Sequence, residues 1–149
     1  MLHAMLAVAA LSAALLVPIA AVAQQDTIKV RQDLMKRSGQ QLGVVNRMVR
    51  GQDPFDAAKV NVAFDAFADK AQKLPTLFPP ASRQGETRAL AKIWDDPNAW
   101  TAAIAGFSKD INDNRPKAVA NVEGLKAAAP AILAHCNSCH EGFRRPAQR

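Results

Sequence analysis

From Asp26 onward, apolar residues recur at helical spacing. Ile28, Met35, Leu42 and Val49 stand seven apart with Leu34, Val45 and Met48 beside them, which predicts an amphipathic helix. Asp26 or Thr27 supplies its cap and Gly51 its stop. Asp53-Pro54 sets a capping carboxylate before a proline and predicts a second start, followed by a stripe of Phe55, Val60, Phe64, Phe67, Ala71 and Leu74. Pro75, Pro79 and Pro80 end that stripe and open a loop to about Arg88, with a short helical turn expected near Leu90 to Trp94. Asp96-Pro97 repeats the start signal for a third helix along Trp100, Ile104, Phe107 and Ile111, which Asn114-Arg115-Pro116 closes. The last helix runs from about Val119 to Arg144, with Val122, Leu125, Ala129, Ile132, Leu133, Cys136 and Phe143 inward. Pro130 within it predicts a bend or a later start. No β-alternation competes. The pattern predicts an all-α, antiparallel up-and-down four-helix bundle.

The segment ahead of Asp26 reads differently. Leu6 to Val22 carries no Lys, Arg, Asp or Glu and ends in Ala21-Val22-Ala23, a small-x-small cleavage site. Residues 1–23 are therefore expected to be a cleaved signal peptide and residues 24–149 the working domain, although only His3 and the terminal amine charge the leader's start. Pro18 and the cleavage site argue against a retained membrane anchor. The expected destination is a bacterial periplasm, with no stable membrane insertion after cleavage.

Composition narrows the picture. The chain has 149 residues, one domain's worth, and 49% are hydrophobic, enough for a packed core. Aromatics make up 5% with no Tyr, which argues against a β-sandwich and against base-stacking platforms. The formal charge is +6. On an exported chain, that implies an acidic partner or an anionic surface met by salt-sensitive encounter, and no nucleic acid. Two Cys exclude a framework of several disulfides.

Those two Cys carry the chemistry. Cys136-Asn137-Ser138-Cys139-His140 is the attachment pattern of a c-type haem. On a helix the thiols lie one turn apart on a shared face, so each can reach one vinyl group of the same porphyrin. His140 follows directly and offers a neutral imidazole to the iron. A thioredoxin-like redox pair would need a βαβ setting, which is absent. A closed zinc site needs four ligands, and His135 and His140 fall on different helical faces. For the sixth iron position, His135 lies on the same helix and cannot reach the opposite porphyrin face. Met35 and Met48 remain, thirteen residues apart in the sequence, or roughly 20 Å along a helix. Met35 sits on the inward stripe and Met48 near the helix end. Spacing leaves ligation and core filling both open for Met35.

A haem motif so close to the C-terminus, read as Cys136-Asn137-Ser138-Cys139-His140-Glu141-Gly142-Phe143-Arg144, resembles the class II cytochromes c. The first-helix segment Arg31-Gln32-Asp33-Leu34-Met35 is similar to that family's distal haem face. The resemblance implies a four-helix bundle with one covalent haem c. It places Arg31 and Gln32 near the haem propionates, Met35 over the iron and Arg144 near the proximal His140. Within the class, Leu34-Met35-Lys36, Gly39 and the stretch Leu74-Pro75-Thr76-Leu77-Phe78-Pro79 look closer to the low-spin cytochrome c-556 branch than to cytochrome c′.

The resulting expectation is a periplasmic electron carrier, monomeric or homodimeric, that exchanges electrons with redox partner proteins. Cys136 and Cys139 attach the haem, His140 is proximal and Met35 is the sixth ligand. No acid–base constellation suggests turnover, so an enzyme is not expected. The alternative is a high-spin, cytochrome c′-like protein that binds NO or CO at an open distal site. Arg144, Arg145 and Arg149 form a basic end, read as a solvated tail or a docking surface.

Overall fold

The computed structural model describes residues 19–147, with side chains from Asp26 onward. The signal-peptide expectation falls outside these residues, apart from the stretch 19–23. Five helices follow in order: α1 (Ile19–Val49), α2 (Ala57–Lys73), α3 (Lys92–Asp95), α4 (Pro97–Ala120) and α5 (Val122–Phe143). The four long ones form a ring in which α1 packs on α2, α2 on α4, α4 on α5, and α5 on α1. The four-helix bundle is therefore as expected, with α3 as a short addition.

Several boundaries differ from the sequence reading, each for a local reason. Helix α1 begins before Asp26, at Ile19, so neither Asp26 nor Thr27 caps it. Helix α2 starts at Ala57 because the Asp56 carboxylate accepts the amides of Ala58 and Lys59. Asp53, the expected cap, instead pairs with Arg47 at 2.8 Å, and Phe55 packs on the core ahead of the helix. Asp96 does cap α4, accepting Ala99 N at 3.0 Å. Helix α4 then continues through Pro116 to Ala120, where Ala118 is fully buried and holds the extra turn to the core. Asn121 caps α5, which runs unbroken through Pro130. Leu133, expected inward, is 39% exposed, because its neighbour Ile132 takes the core direction.

The turn between α4 and α5 is tight. A Cβ on Gly124 would stand 1.9 Å from the Lys117 carbonyl oxygen, so only glycine fits there.

Buried apolar residues form two clusters. The larger joins Val45 and Met48 to Phe64, Phe67, Phe107, Ile111, Leu125 and Ile132. The smaller joins Leu74, Ile93, Trp100, Ile104 and Phe143, with Met35, Phe78 and Trp94 against it. A cavity walled by members of both interrupts the core.

Candidate functional site

The cavity has a volume of about 550 Å³. Helix α5 supplies Cys136, Cys139, His140 and Phe143 to its wall, and α1 supplies Arg31, Gln32, Met35, Ser38 and Leu42. Lys70, Phe107, Ile104 and Trp100 come from α2 and α4. Helical spacing explains the convergence: positions 136, 139, 140 and 143 share one face of α5, and 31, 35, 38 and 42 share one face of α1. The candidate site residues Arg31, Gln32, Met35, Cys136, Cys139, His140 and Arg144 thus all line one cavity; Arg145 of the basic end does not, and Arg149 lies outside the described residues. Met48, the other methionine considered, is 1% exposed in the larger core cluster.

Electrostatics favour a neutral ligand at His140. Burial first, then the cations of Arg144, Lys70 and Arg88, hold the imidazole below its ordinary pKa, leaving a lone pair free for a metal. Cys136 and Cys139 are free thiols, and burial pushes the Cys139 thiol up, so it stays protonated. His135, one residue before the motif, turns to α4 and meets Asp110 at 2.7 Å. That contact pins the start of the motif, and Gly106 leaves room for it, since a Cβ there would stand 3.2 Å from His135 Cε1. Among the described residues no three His, Cys, Asp or Glu side chains converge on one point, so a closed zinc site has no basis there.

Arg31 lines the cavity, but its guanidinium is engaged elsewhere. It donates to Leu77 O (3.1 Å), Ser82 Oγ (2.9 Å), Ser82 O (3.2 Å) and Thr87 Oγ1 (2.7 Å), and stacks 4.5 Å above the Phe78 ring. The residue is 4% exposed. Gln32 similarly donates to Glu86 O at 2.8 Å. Both side chains fasten the loop between α2 and α3 to α1. The loop's far end is fastened to α5: an isolated antiparallel bridge joins Ala89 to Arg144, with Leu90 N donating to Phe143 O and Arg145 N to Arg88 O. This brings Arg88 and Arg144 to one rim, where burial first, then the charge of Arg88, holds the Arg144 guanidinium below its ordinary pKa.

Arg88 and Lys70 are the cationic cavity residues that sequence reasoning missed. Arg88 carried no local signal, because only the bridge brings it to the site. Lys70 did carry one: it falls between Phe67 and Leu74 on the apolar stripe of α2.

The donor set fits a c-type haem. Two thiols one turn apart and an unprotonated imidazole face an apolar cavity, and guanidinium groups stand at its mouth, where carboxylates would emerge. A four-helix bundle holding this set on its last helix is a haem-binding bundle of the class II type. The comparisons agree: residues 26–144 match the family model described as Cytochrome C', and the chain belongs to this family. It is 34% identical over 130 residues to cytochrome c-556 of Rhodopseudomonas palustris, covering 84% of this chain and 87% of that one. It is 35% identical over 125 residues to cytochrome c' of the same organism, covering 83% and 85%. Two solved R. palustris structures superpose closely. Cytochrome c' gives a TM-score of 0.77 at 32% identity, covering 83% of this chain and 98% of that one. Oxidised cytochrome c556 gives 0.74 at 32%, covering 83% and 99%. One covalent haem c is accordingly the cofactor.

Proposed function

We propose that the protein is a periplasmic electron carrier, exported by residues 1–23, whose haem is attached by Cys136 and Cys139 and ligated by His140 and Met35. The bound haem supplies an iron that exchanges one electron between its ferric and ferrous states. The observation that carries the reading is Met35. It is half-buried on the cavity wall formed by α1, while His140 lines the same cavity from α5. A thioether sulfur favours the softer ferrous iron, and the apolar wall of Leu42, Ile104 and Phe107 disfavours the extra charge of the ferric state. With His140 and Met35 both as ligands, the coordination would stay the same in the two states, which would keep reorganisation small. The function we read from this set of residues is electron transfer and not catalysis.

The second reading is binding of NO or CO at an open distal position. The near-equal likeness to a cytochrome c-556 and a cytochrome c' favours keeping it. One experiment separates the two. Optical spectra of ferric and ferrous holoprotein are taken before and after CO, alongside Met35→Ala. Carrier function with Met35 ligation predicts a low-spin spectrum, a weak near-infrared sulfur–iron band lost in the variant, and little response to CO. A high-spin ferric spectrum with ready CO binding in the parent protein refutes it and makes Met35 a packing residue.

A further inference from the structure

Lys70 breaks the rule that buried cations are paired. It is 7% exposed, on the inner wall of the cavity. Among the described residues no carboxylate lies within ion-pair distance of Nζ, and no acceptor bonds to it. Nearby acids are committed elsewhere: Asp69 takes Arg37 and Lys73 at 3.0 and 2.6 Å, and Asp65 takes Arg115 at 2.7 Å. A lysine with a merely structural role extends its amine to water or finds a partner. Lys70 does neither. Its ammonium lies 4.4 Å from the Phe107 ring centroid and 6.0 Å from that of Phe67.

We propose that Lys70 is a fixed positive charge built into the haem cavity, and that it raises the haem's reduction potential by disfavouring the ferric state. The inference rests on the haem occupying this cavity and not on Met35 ligation. Burial draws the lysine's pKa down, and the two ring faces favour the charged form. Thioether formation at Cys136 and Cys139 removes both thiols as sources of negative charge near Lys70. Reduction takes one positive charge from the iron, and a neighbouring cation favours that change. Across roughly 10 Å at an effective dielectric of about 20, the bias is on the order of tenfold in the ferrous-to-ferric ratio.

The arrangement costs stability, since an unpaired buried ammonium is worse than an apolar chain of similar length. That cost, placed in a cofactor wall, is what marks Lys70 as a functional group.

The test is a redox titration of the holoprotein beside Lys70→Met, Lys70→Gln and Lys73→Met. Lys73 lies one turn along α2, exposed and paired with Asp69, and controls for net charge. At the parent's midpoint potential, both Lys70 variants are expected to show a ferrous-to-ferric ratio about tenfold lower, with unchanged ligand bands. Lys73→Met should stay within about twofold of the parent, and Lys70→Met should melt above it. A Lys70→Met ratio within twofold of the parent overturns the proposal. So does a change of ligand bands in either Lys70 variant, because Lys70 would then act on coordination and not through charge. The spectrum of the unmutated protein tests Met35 separately, so the two readings fail independently.

Discussion

Replacing Arg31 tests whether the loop between α2 and α3 hangs on one side chain. Arg31→Met removes four hydrogen bonds, to Leu77 O, Ser82 Oγ, Ser82 O and Thr87 Oγ1, and the stacking on Phe78. Each bond from a charged donor is worth about 1.5–3 kcal/mol, but they share one guanidinium and are not additive. Desolvation of the buried cation offsets part of the gross sum. Ser82 Oγ keeps its bond to Pro79 O, and methionine restores some apolar contact. The net loss is then about 3–5 kcal/mol, the usual cost of breaking a buried charged network. For a domain of this size that is a fall in Tm of roughly 10 °C or more, read by far-UV circular dichroism of the holoprotein. Arg31→Lys separates this role from propionate binding. It keeps the charge but cannot fork to two loop segments, so a clamp predicts a loss nearly as large as in Arg31→Met. If Arg31 worked chiefly as a charge beside a propionate, the lysine variant would melt near the parent. That result, or a fall below about 3 °C in Arg31→Met, refutes the clamp.

Gly124→Ala should cost about 1–3 kcal/mol or more in urea unfolding, because the new methyl meets the Lys117 carbonyl oxygen and the turn must open; an unchanged midpoint would mean the turn is slack. Arg88→Gln and Arg144→Gln, at the cavity mouth, should slow oxidation of the ferrous protein by anionic hexacyanoferrate several-fold and flatten its dependence on ionic strength. A neutral oxidant should react at the parent rate, and an unchanged hexacyanoferrate rate would count against the rim as a docking charge.

The haem motif and the bundle could be read directly because both are local statements. Thioether attachment needs two thiols at fixed spacing with the histidine beside them, and helical periodicity repeats every turn. Helix ends were less legible, since cap signals compete at short range. Asp53 and Asp56 both qualify as caps for α2, and the choice is made by Arg47, which draws Asp53 away. Pro116 reads as a stop, but its helix is held by burial of Ala118 beyond it, and such tertiary support leaves no mark within the segment. Arg88 reaches the site only through the bridge to the chain after α5, which pairs positions far apart in sequence.

Much of the rest was written in the stripes as exceptions. An inward face that serves only to pack should be apolar throughout. On α1 that face carries Arg31 and Ser38 between Ile28 and Leu42, and on α2 it carries Lys70 between Phe67 and Leu74. All three line the cavity. A charged group in an inward position is costly unless something compensates its burial. For Arg31 that is the loop, which it fixes over the cavity. For Lys70 the Phe107 and Phe67 ring faces compensate only in part, since no acceptor bonds to it, which is why its role is sought in what fills the space beside it. Asn114, the inward polar residue of α4, shows the limit of the rule: it bonds the Asp110 carbonyl at 2.7 Å, one turn back, and lies away from the cavity. Polar breaks in an apolar stripe therefore locate a site when two neighbouring helices show them at the same level. A lone break satisfied by its own backbone locates nothing.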